Sequence, residues 1–152
     1  MNETAAANHR KVVAFRIGTQ EFCVDIMSVR ELRCWTPATQ LPRAPDFVLG
    51  VINLRGSILP IVDLAMRFGF RATNATSRHV VIVTQIDKRT VGLLVDAVSD
   101  ILSVTDELVQ PTPDVLSNMA DQFVRGVFII ETRMVSLIAL DNIVPQAEME
   151  AA

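Results

Sequence analysis

Very few side chains in this sequence have both the type and the spacing that catalysis or metal binding requires. The chain contains two histidines and two cysteines, namely His9, His79, Cys23 and Cys34. A covalent catalyst needs a nucleophile beside a positioned base, and a metal site needs several clustered ligands. The sequence has no HExxH, CxxC, GxxxxGK or GxGxxG motif. We therefore predict no catalytic centre, no metal site and no cofactor, and we interpret His79 as a surface residue at a strand end.

Two pairs of charged residues spaced four apart are the remaining candidates for acid–base chemistry. Asp96 and Asp100, and likewise Asp121 and Arg125, share one face if their segment is helical. A glycosidase-type pair also needs a cleft and a raised carboxyl pKa, and the sequence indicates neither. Both pairs are expected to be solvated surface charges.

Arg55 and Glu31 offer binding chemistry instead. Arg55 stands beside a glycine in a predicted turn, and Glu31 follows the first predicted hairpin. The forked guanidinium could pair with the Glu31 carboxylate and hold the turn against that hairpin. Alternatively, Arg55 is a solvated loop charge. Because exposed ion pairs stabilise a fold only slightly, such a pair would serve geometry rather than stability.

Arg55 belongs to the stretch 50–64, which reads GVINLRGSILPIVDL. Its two apolar runs, residues 51–54 and 58–62, are rich in β-branched side chains and flank the turn. Gly56 at the bend can take a positive φ without steric cost. This pattern predicts a β-hairpin whose tip carries Arg55.

Short helical segments are predicted around the hairpins. Asp63 stands where an N-cap belongs, and residues 64–68 can form one turn before Gly69 ends it. Three further short segments are expected: residues 26–32 as helix or strand, residues 45–49 as a helical turn, and residues 116–122 as a helical turn or two.

The chain carries an internal repeat. Three more hairpins are predicted, from residues 11–17 with 20–25, 79–86 with 90–96, and 127–131 with 134–140. Each half then reads as hairpin, Val-x-acidic-apolar segment, proline loop, helical turn and Gly-Val hairpin, which indicates duplication. We predict an all-β domain over residues 11–145 with halves at 11–70 and 78–145, and flexible tails at 1–10 and 146–152.

The apolar pattern within the strands predicts which faces are buried. Val91, Leu93 and Val95 alternate with other residues as expected for a strand with one buried face. Residues 80–83 and 134–140 are apolar on both faces. They either lie between two barrels or line an exposed groove for a partner, and the sequence leaves both interpretations open.

Composition narrows the class of function. The formal net charge is −3 and no basic cluster is present, so nucleic-acid binding is not indicated. No apolar run reaches the ~18 residues of a membrane span, and the N-terminal residues lack a signal-peptide core. Cys23 and Cys34 are expected to be free thiols in a reducing compartment. We expect a cytoplasmic protein that does not insert into a membrane.

The hairpin GVINLRGSILPIVDL closely resembles the corresponding hairpin of the CheW family, and the resemblance extends over about residues 12–144. The resemblance implies two SH3-like five-stranded β-barrels that share a hydrophobic core. It also implies a non-enzymatic adaptor that couples chemoreceptors to the histidine kinase CheA. One surface would hold the cytoplasmic hairpin tip of the receptor, and another would hold the regulatory domain of CheA.

The same resemblance implies a set of receptor-binding residues. Val29, Val80 and Ile101 would line an apolar groove between the barrels, and Glu31, Asn53 and Arg55 would form its rim. The residues that bind the kinase are not predicted. Two alternatives remain: an adaptor of another chemosensory pathway such as pilus-based motility, and a small hydrolase or ligand-binding barrel with an enclosed polar pocket.

Overall fold

The computed structural model describes residues 9–105, 109–110 and 123–143, and most of these residues are in strands. A 3-10 helix covers Ile26–Ser28, and two four-residue helices cover Leu64–Arg67 (α1) and Leu140–Ile143 (α2). The strands are His9–Ile17 (β1), Gln20–Asp25 (β2), Val29–Cys34 (β3), Val48–Leu54 (β4), Ser57–Asp63 (β5), Val80–Ile86 (β6), Arg89–Val95 (β7), Ala97–Thr105 (β8), Val109–Gln110 (β9), Val124–Ile130 (β10) and Arg133–Ile138 (β11). The prediction of an all-β fold with few short helices is confirmed.

The four predicted hairpins all form, and each has a two-residue turn. The first turn residue has a positive φ in every case: Gly18 at 62°, Arg55 at 51°, Asp87 at 55° and Glu131 at 57°. Left-handed turn residues match the natural twist of the paired strands, which is why two-residue hairpins select them. The short local pattern of the sequence therefore fixes these four units.

The strands form two sheets of matching topology. One sheet has the order β3-β6-β7-β5-β4, and we call it barrel I; the other has the order β8-β1-β2-β11-β10-β9, and we call it barrel II. In the sequence repeat, the counterparts of β3, β6, β7, β5 and β4 are β8, β1, β2, β11 and β10. Replacing each strand of barrel I by its counterpart therefore gives the order of the first five strands of barrel II. The parallel pair agrees as well, since β5 with β7 corresponds to β11 with β2. The internal duplication is thus visible in the strand order and pairing.

Each sheet takes strands from both halves of the sequence. Hairpin β1–β2 of the first half lies in barrel II, whereas hairpin β6–β7 of the second half lies in barrel I. The halves 11–70 and 78–145 therefore do not correspond to the two sheets. The exchange follows from the parallel pairing of each first hairpin with the last hairpin of the other half. Neither sheet can form from one half alone.

Each sheet closes on itself through the segment that follows its edge strand. After β3, Thr39 pairs with Val51 of β4, through hydrogen bonds of 2.9 and 2.8 Å between their backbones. After β8, the short strand β9 pairs with β10, where Gln110 lies opposite Val127. Val51 and Val127 occupy equivalent places in the repeat. This closure agrees with the predicted pair of SH3-like barrels.

Three apolar clusters fill the structure. The largest, which we call the shared core, contains residues of both barrels, including Phe15 and Phe22 of barrel II and Ile82 and Leu93 of barrel I. Each barrel also has its own smaller cluster. The prediction that β7 buries one face is wrong: Val91, Leu93 and Val95 enter the shared core, and Leu94 enters the cluster of barrel I. Both faces are buried because β7 is a central strand between two packed layers.

Several local predictions need correction. Residues 45–49 are not helical, since β4 begins at Val48 and only a turn bond from the Val48 N–H to the Pro45 carbonyl precedes it. The segment 26–32 divides into the 3-10 helix and the start of β3. His9 and Arg10, which we predicted to lie in a flexible tail, pair with β8 as the start of β1, and residues 1–8 lie outside the described residues.

Asp63 does not cap α1 with its side chain, although it precedes that helix. The carboxylate is fully buried and accepts hydrogen bonds from the Thr73 backbone N–H at 2.8 Å and the Thr73 hydroxyl at 2.7 Å. Burying a carboxylate costs free energy unless hydrogen-bond donors replace its lost water, and Thr73 supplies two such donors from the loop that follows the helix. Asp63 therefore fastens that loop.

Asp96, Asp100 and Arg125, the described members of the charged pairs spaced four apart, also lie outside helices. Asp100 is in β8, and Asp96 lies between β7 and β8, where it accepts the Gly18 N–H at 2.7 Å. Arg125 is in β10 and pairs with Asp141 at 3.4 Å, while Asp121 and the predicted turn over residues 116–122 lie outside the described residues. Asp96 and Asp100 therefore lie on different segments and are engaged separately, Asp96 by Gly18 and Asp100 by Arg133.

No helix among the described residues is long and apolar enough to cross a membrane.

Candidate docking surface and family

The tip of hairpin β4–β5 is joined to β3 by an ion pair. Arg55 places its two terminal nitrogens 2.5 and 3.5 Å from the two carboxylate oxygens of Glu31. The hydrogen bond with Arg55 holds the pKa of Glu31 below its ordinary value, and the same contact raises the pKa of Arg55. Of the two alternatives that the sequence left open, the structure shows the pair. Arg55 keeps 69% of its side chain exposed and is therefore accessible to a partner.

Asn53 positions the arginine by fixing the turn. Its side-chain oxygen accepts the Gly56 N–H at 2.8 Å, and both turn residues are left-handed, with φ of 51° at Arg55 and 89° at Gly56. A left-handed conformation is strained for a non-glycine residue and persists only where its surroundings hold it. Asn53 and Gly56 together provide that support, so the orientation of Arg55 is preset.

A β-bulge positions Glu31. Val29 lies opposite Thr84 and Glu31 lies opposite Val83, so Arg30 is the extra residue of β3. Arg30 turns outward and donates to the Gln85 side chain at 2.9 Å. Bulges re-aim the neighbouring side chain, and here the bulge directs Glu31 toward the hairpin tip.

The second half of the chain contains a counterpart of this ion pair that sequence reasoning missed. Arg133 donates to Asp100 at 3.1 and 3.1 Å and to Glu21 at 3.0 and 2.6 Å. These bonds lower the pKa of both carboxyl groups and raise the pKa of Arg133. A bulge lies at the repeat-equivalent place in β8, beside Asp100. The available signal was the repeat itself, which aligns Asp100 with Glu31.

The predicted apolar residues of the groove occupy separate positions. Val29 and Val80 are half-buried and pack against the shared core, while Ile101 on β8 is 57% exposed. Val29 pairs with Thr84, four residues beyond Val80 on β6, which corresponds to about 13 Å along the strand. The structure thus brings Glu31, Asn53 and Arg55 together and spreads the three apolar residues over both barrels.

Three exposed apolar residues in or next to β3 and β5 were not predicted as site residues. Ile58 follows the hairpin tip and is 75% exposed, Leu32 follows Glu31 and is 47% exposed, and Met27 precedes β3 and is 86% exposed. The alternation of β5 carried the signal for Ile58, because Leu59 points into barrel I and the residue before it must point to the other face. Ile58 lies opposite Asn53 and therefore beside the hairpin tip, whereas Leu32 points to the face of β3 opposite to Glu31.

His79 is not the surface residue that we predicted, since only 17% of its side chain is exposed. Its Nδ1 accepts the Thr76 N–H at 3.0 Å, and its Nε2 lies 3.5 Å from an Asp96 oxygen. The loop before β6 folds over the ring to make these contacts. A cleft of about 400 Å³ lies beside it, lined partly by Phe70 and Thr73.

The two cysteines are free, as predicted, with Cys23 buried and Cys34 exposed. Burial raises the pKa of the Cys23 thiol to about 12, so this thiol is unreactive in the fold. Over the described part of the chain, no group of three or more His, Cys, Asp or Glu residues could hold a metal ion.

Comparison with known proteins agrees with the geometry. The family model described as "CheW-like domain" matches residues 11–148. The chemotaxis protein CheW of Rhizobium meliloti is 58% identical over 154 residues, covering 98% of this chain and 99% of that protein. The probable chemotaxis protein CheW of Rhizobium etli is 58% identical over 143 residues, covering 94% and 92%.

A solved structure extends the agreement to the fold. The scaffolding protein TtCheW from Thermoanaerobacter tengcongensis superposes with a TM-score of 0.82 at 29% identity, covering 90% of this chain and 92% of that one. Its likeness supports the arrangement of two SH3-like barrels. The hairpin β4–β5, the paired barrels and the family match lead to one conclusion: this chain is a member of the CheW family of chemotaxis scaffold proteins.

Proposed function

We propose that this protein is a non-enzymatic adaptor that couples chemoreceptors to the histidine kinase CheA in bacterial chemotaxis. The observation that carries the proposal is the preset Arg55–Glu31 pair, exposed at a hairpin tip where the exposed Ile58 lies opposite Asn53, in a member of the CheW family. A rigid charged contact beside an exposed apolar side chain is suited to holding a protein partner.

The receptor contact in this proposal is a helix that lies across the seam between the barrels. Val29 and Val80 form its floor from barrel I, where both pack on the shared core, and Ile101 contributes from barrel II. Glu31, Asn53 and Arg55 form the rim. An amphipathic helix recognises such a surface through apolar residues on one face, and ~800 Å² per partner suffices for a stable contact.

The kinase contact is a barrel-on-barrel contact at another edge of the molecule. The regulatory domain of CheA would dock there, so that receptor and kinase bind at the same time. Repetition of such contacts in a receptor array adds avidity to weak individual interfaces. In this role the protein acts in the cytoplasm and is recruited to membrane-associated arrays.

The polar groups near the cleft support a non-catalytic role. Asp63 is engaged by Thr73, Asp96 is engaged by the Gly18 N–H, and His79 is engaged by the Thr76 N–H. These groups serve the loops that surround them. The alternative role in a pilus-based pathway uses the same surfaces and differs only in the partners, which pull-down with receptors of both pathways distinguishes.

The receptor surface can be tested with two matched substitutions. Ile58→Asp places a charge opposite Asn53, and Met134→Asp places one at the repeat-equivalent position of barrel II; the two residues are 75% and 64% exposed. We expect Ile58→Asp to weaken capture of a receptor hairpin fragment about tenfold, since a buried unpaired charge at an interface costs at least ~1.4 kcal/mol. Met134→Asp should bind as the unmodified protein does.

Sedimentation of the receptor fragment measures the capture, and thermal unfolding checks the fold. Equal capture by the two variants would show that Ile58 and its neighbours do not belong to the receptor-binding surface. Val29→Asp provides a second arm, because its side chain belongs to the predicted floor of the groove.

A further inference from the structure

Arg67, at the end of α1, lies where the two halves of the chain meet. Its guanidinium carbon is 4.2 Å from the ring centroid of Phe47 and 4.9 Å from that of Phe123. The two phenylalanines are repeat equivalents, and each directly precedes the first strand of the last hairpin in its half, β4 and β10 respectively. Each carbonyl accepts an N–H from the end of the following hairpin at 2.8 Å, from Asp63 and from Ala139. One cation therefore contacts both copies of the same structural position.

The same guanidinium also holds the second short helix. Its Nε donates to the Ile143 carbonyl at 2.6 Å, and a terminal nitrogen donates to the Asn142 carbonyl at 3.3 Å. The last carbonyls of a helix have no partner within the helix, and a cation there is favourable. Ile143 takes the place of Arg67 in the repeat, since α1 and α2 both have four residues. A single arginine thus serves both halves.

The contacts below Arg67 lead into the shared core. The Phe123 ring lies 5.6 Å from Phe68, which lies 5.0 Å from Phe22, which in turn lies 6.0 Å from Phe15. All four rings belong to the shared core or pack against it. Val29 and Val80, the proposed floor of the receptor groove, pack on the same cluster. Arg67 is thus linked to the groove through the layer that joins the barrels.

We propose that Arg67 is a positioning residue that fixes the relative orientation of the two barrels and thereby the shape of the receptor groove, without touching the receptor. The proposal rests on the receptor surface described above. A groove formed by two barrels binds its partner only when both barrels are correctly oriented. If the barrels can move relative to each other, the apparent affinity falls in proportion to the fraction of molecules that have the competent orientation. The kinase contact, which uses one barrel, does not depend on this orientation.

The test compares Arg67→Met with Arg67→Lys. Methionine preserves much of the side-chain volume but removes the cation and both hydrogen bonds, whereas lysine keeps the cation over the rings and loses the fork. Arg78→Met, at an exposed loop position, matches the change in charge. Spin labels on Ser57→Cys and Thr132→Cys, both exposed hairpin positions, report the distance between the barrels. Cys34 is replaced by serine, and Cys23 is buried.

We expect Arg67→Met to broaden the inter-barrel distance distribution and to weaken receptor-fragment capture about tenfold, with kinase-domain capture changed less than about twofold. Arg67→Lys should be intermediate, and Arg78→Met should match the unmodified protein. A narrow distance distribution in Arg67→Met, or equal loss of both partners, would overturn the proposal. If Arg67→Met does not fold, Arg67→Lys decides by the same criteria. Should the unmodified protein bind no receptor, the proposed function fails while the distance measurement still tests Arg67.

Discussion

Arg55→Glu is expected to reduce receptor capture by at least about tenfold and to leave the fold intact. The substitution places two carboxylates, those of Glu31 and the new residue, at the tip where the structure has a forked ion pair. Like charges repel, so the hairpin tip loses its fixed orientation and presents the wrong charge to the partner. Because Arg55 is largely exposed, its replacement leaves the cores untouched. Binding to a receptor hairpin fragment, measured beside thermal unfolding, checks both parts.

The double substitution Glu31→Arg with Arg55→Glu separates geometry from charge. It restores an ion pair of opposite direction between the same two positions. If the pair acts by holding the tip, the double variant should recover most of the binding; if the partner contacts Arg55 itself, binding should stay low. Normal capture by the single variant Arg55→Glu would exclude this tip from the receptor surface.

Gly50→Ala should cause the largest loss of stability of any single methyl addition in the hairpin region. A Cβ at Gly50 would lie 2.3 Å from the Thr39 carbonyl oxygen and 2.7 Å from its carbon, and φ there is 147°. Those atoms belong to the backbone pairing that closes barrel I, so they cannot move without breaking it. We expect a loss of about 3 kcal/mol or more in the free energy of unfolding, or about 10 °C in Tm.

Gly18→Ala is the matched control for this experiment. Gly18 also has a positive φ, 62°, but a Cβ there would have no atom within 4 Å. Its substitution carries only the backbone strain, ~1–2 kcal/mol. Chemical or thermal unfolding of the two variants therefore isolates the steric contact. Equal stability of the two variants would show that Thr39 does not close the barrel against β4.

The hairpins were predictable because their determinants are local. The run around Arg55 and Gly56 combines β-branched strands with a residue suited to positive φ, and the same holds for Gly18 and its flanks. The internal repeat could be predicted for the same reason, since the sequence of each half indicates the same order of short elements. The Glu31–Arg55 pair followed from complementary charges and the resemblance to a known family.

The exchange of hairpins between the barrels had no local signal. The pairing of Glu21 with Val135 joins residues at opposite ends of the sequence, and a hairpin pattern contains nothing that selects its neighbour. The same limit explains Asp63, whose side chain bonds to Thr73 rather than to the helix after it. The role of Arg67 had no local signal either, because it depends on contacts with Phe47 and Phe123, which are distant in the sequence.

The most direct test of the adaptor function is a three-component sedimentation. Membranes that carry chemoreceptors are mixed with CheA, with and without this protein, and the kinase in the pellet is measured. The account predicts that CheA sediments with the receptors when this protein is present and that Arg55→Glu removes most of this recruitment. Equal amounts of CheA in the pellet with and without the protein would contradict the account.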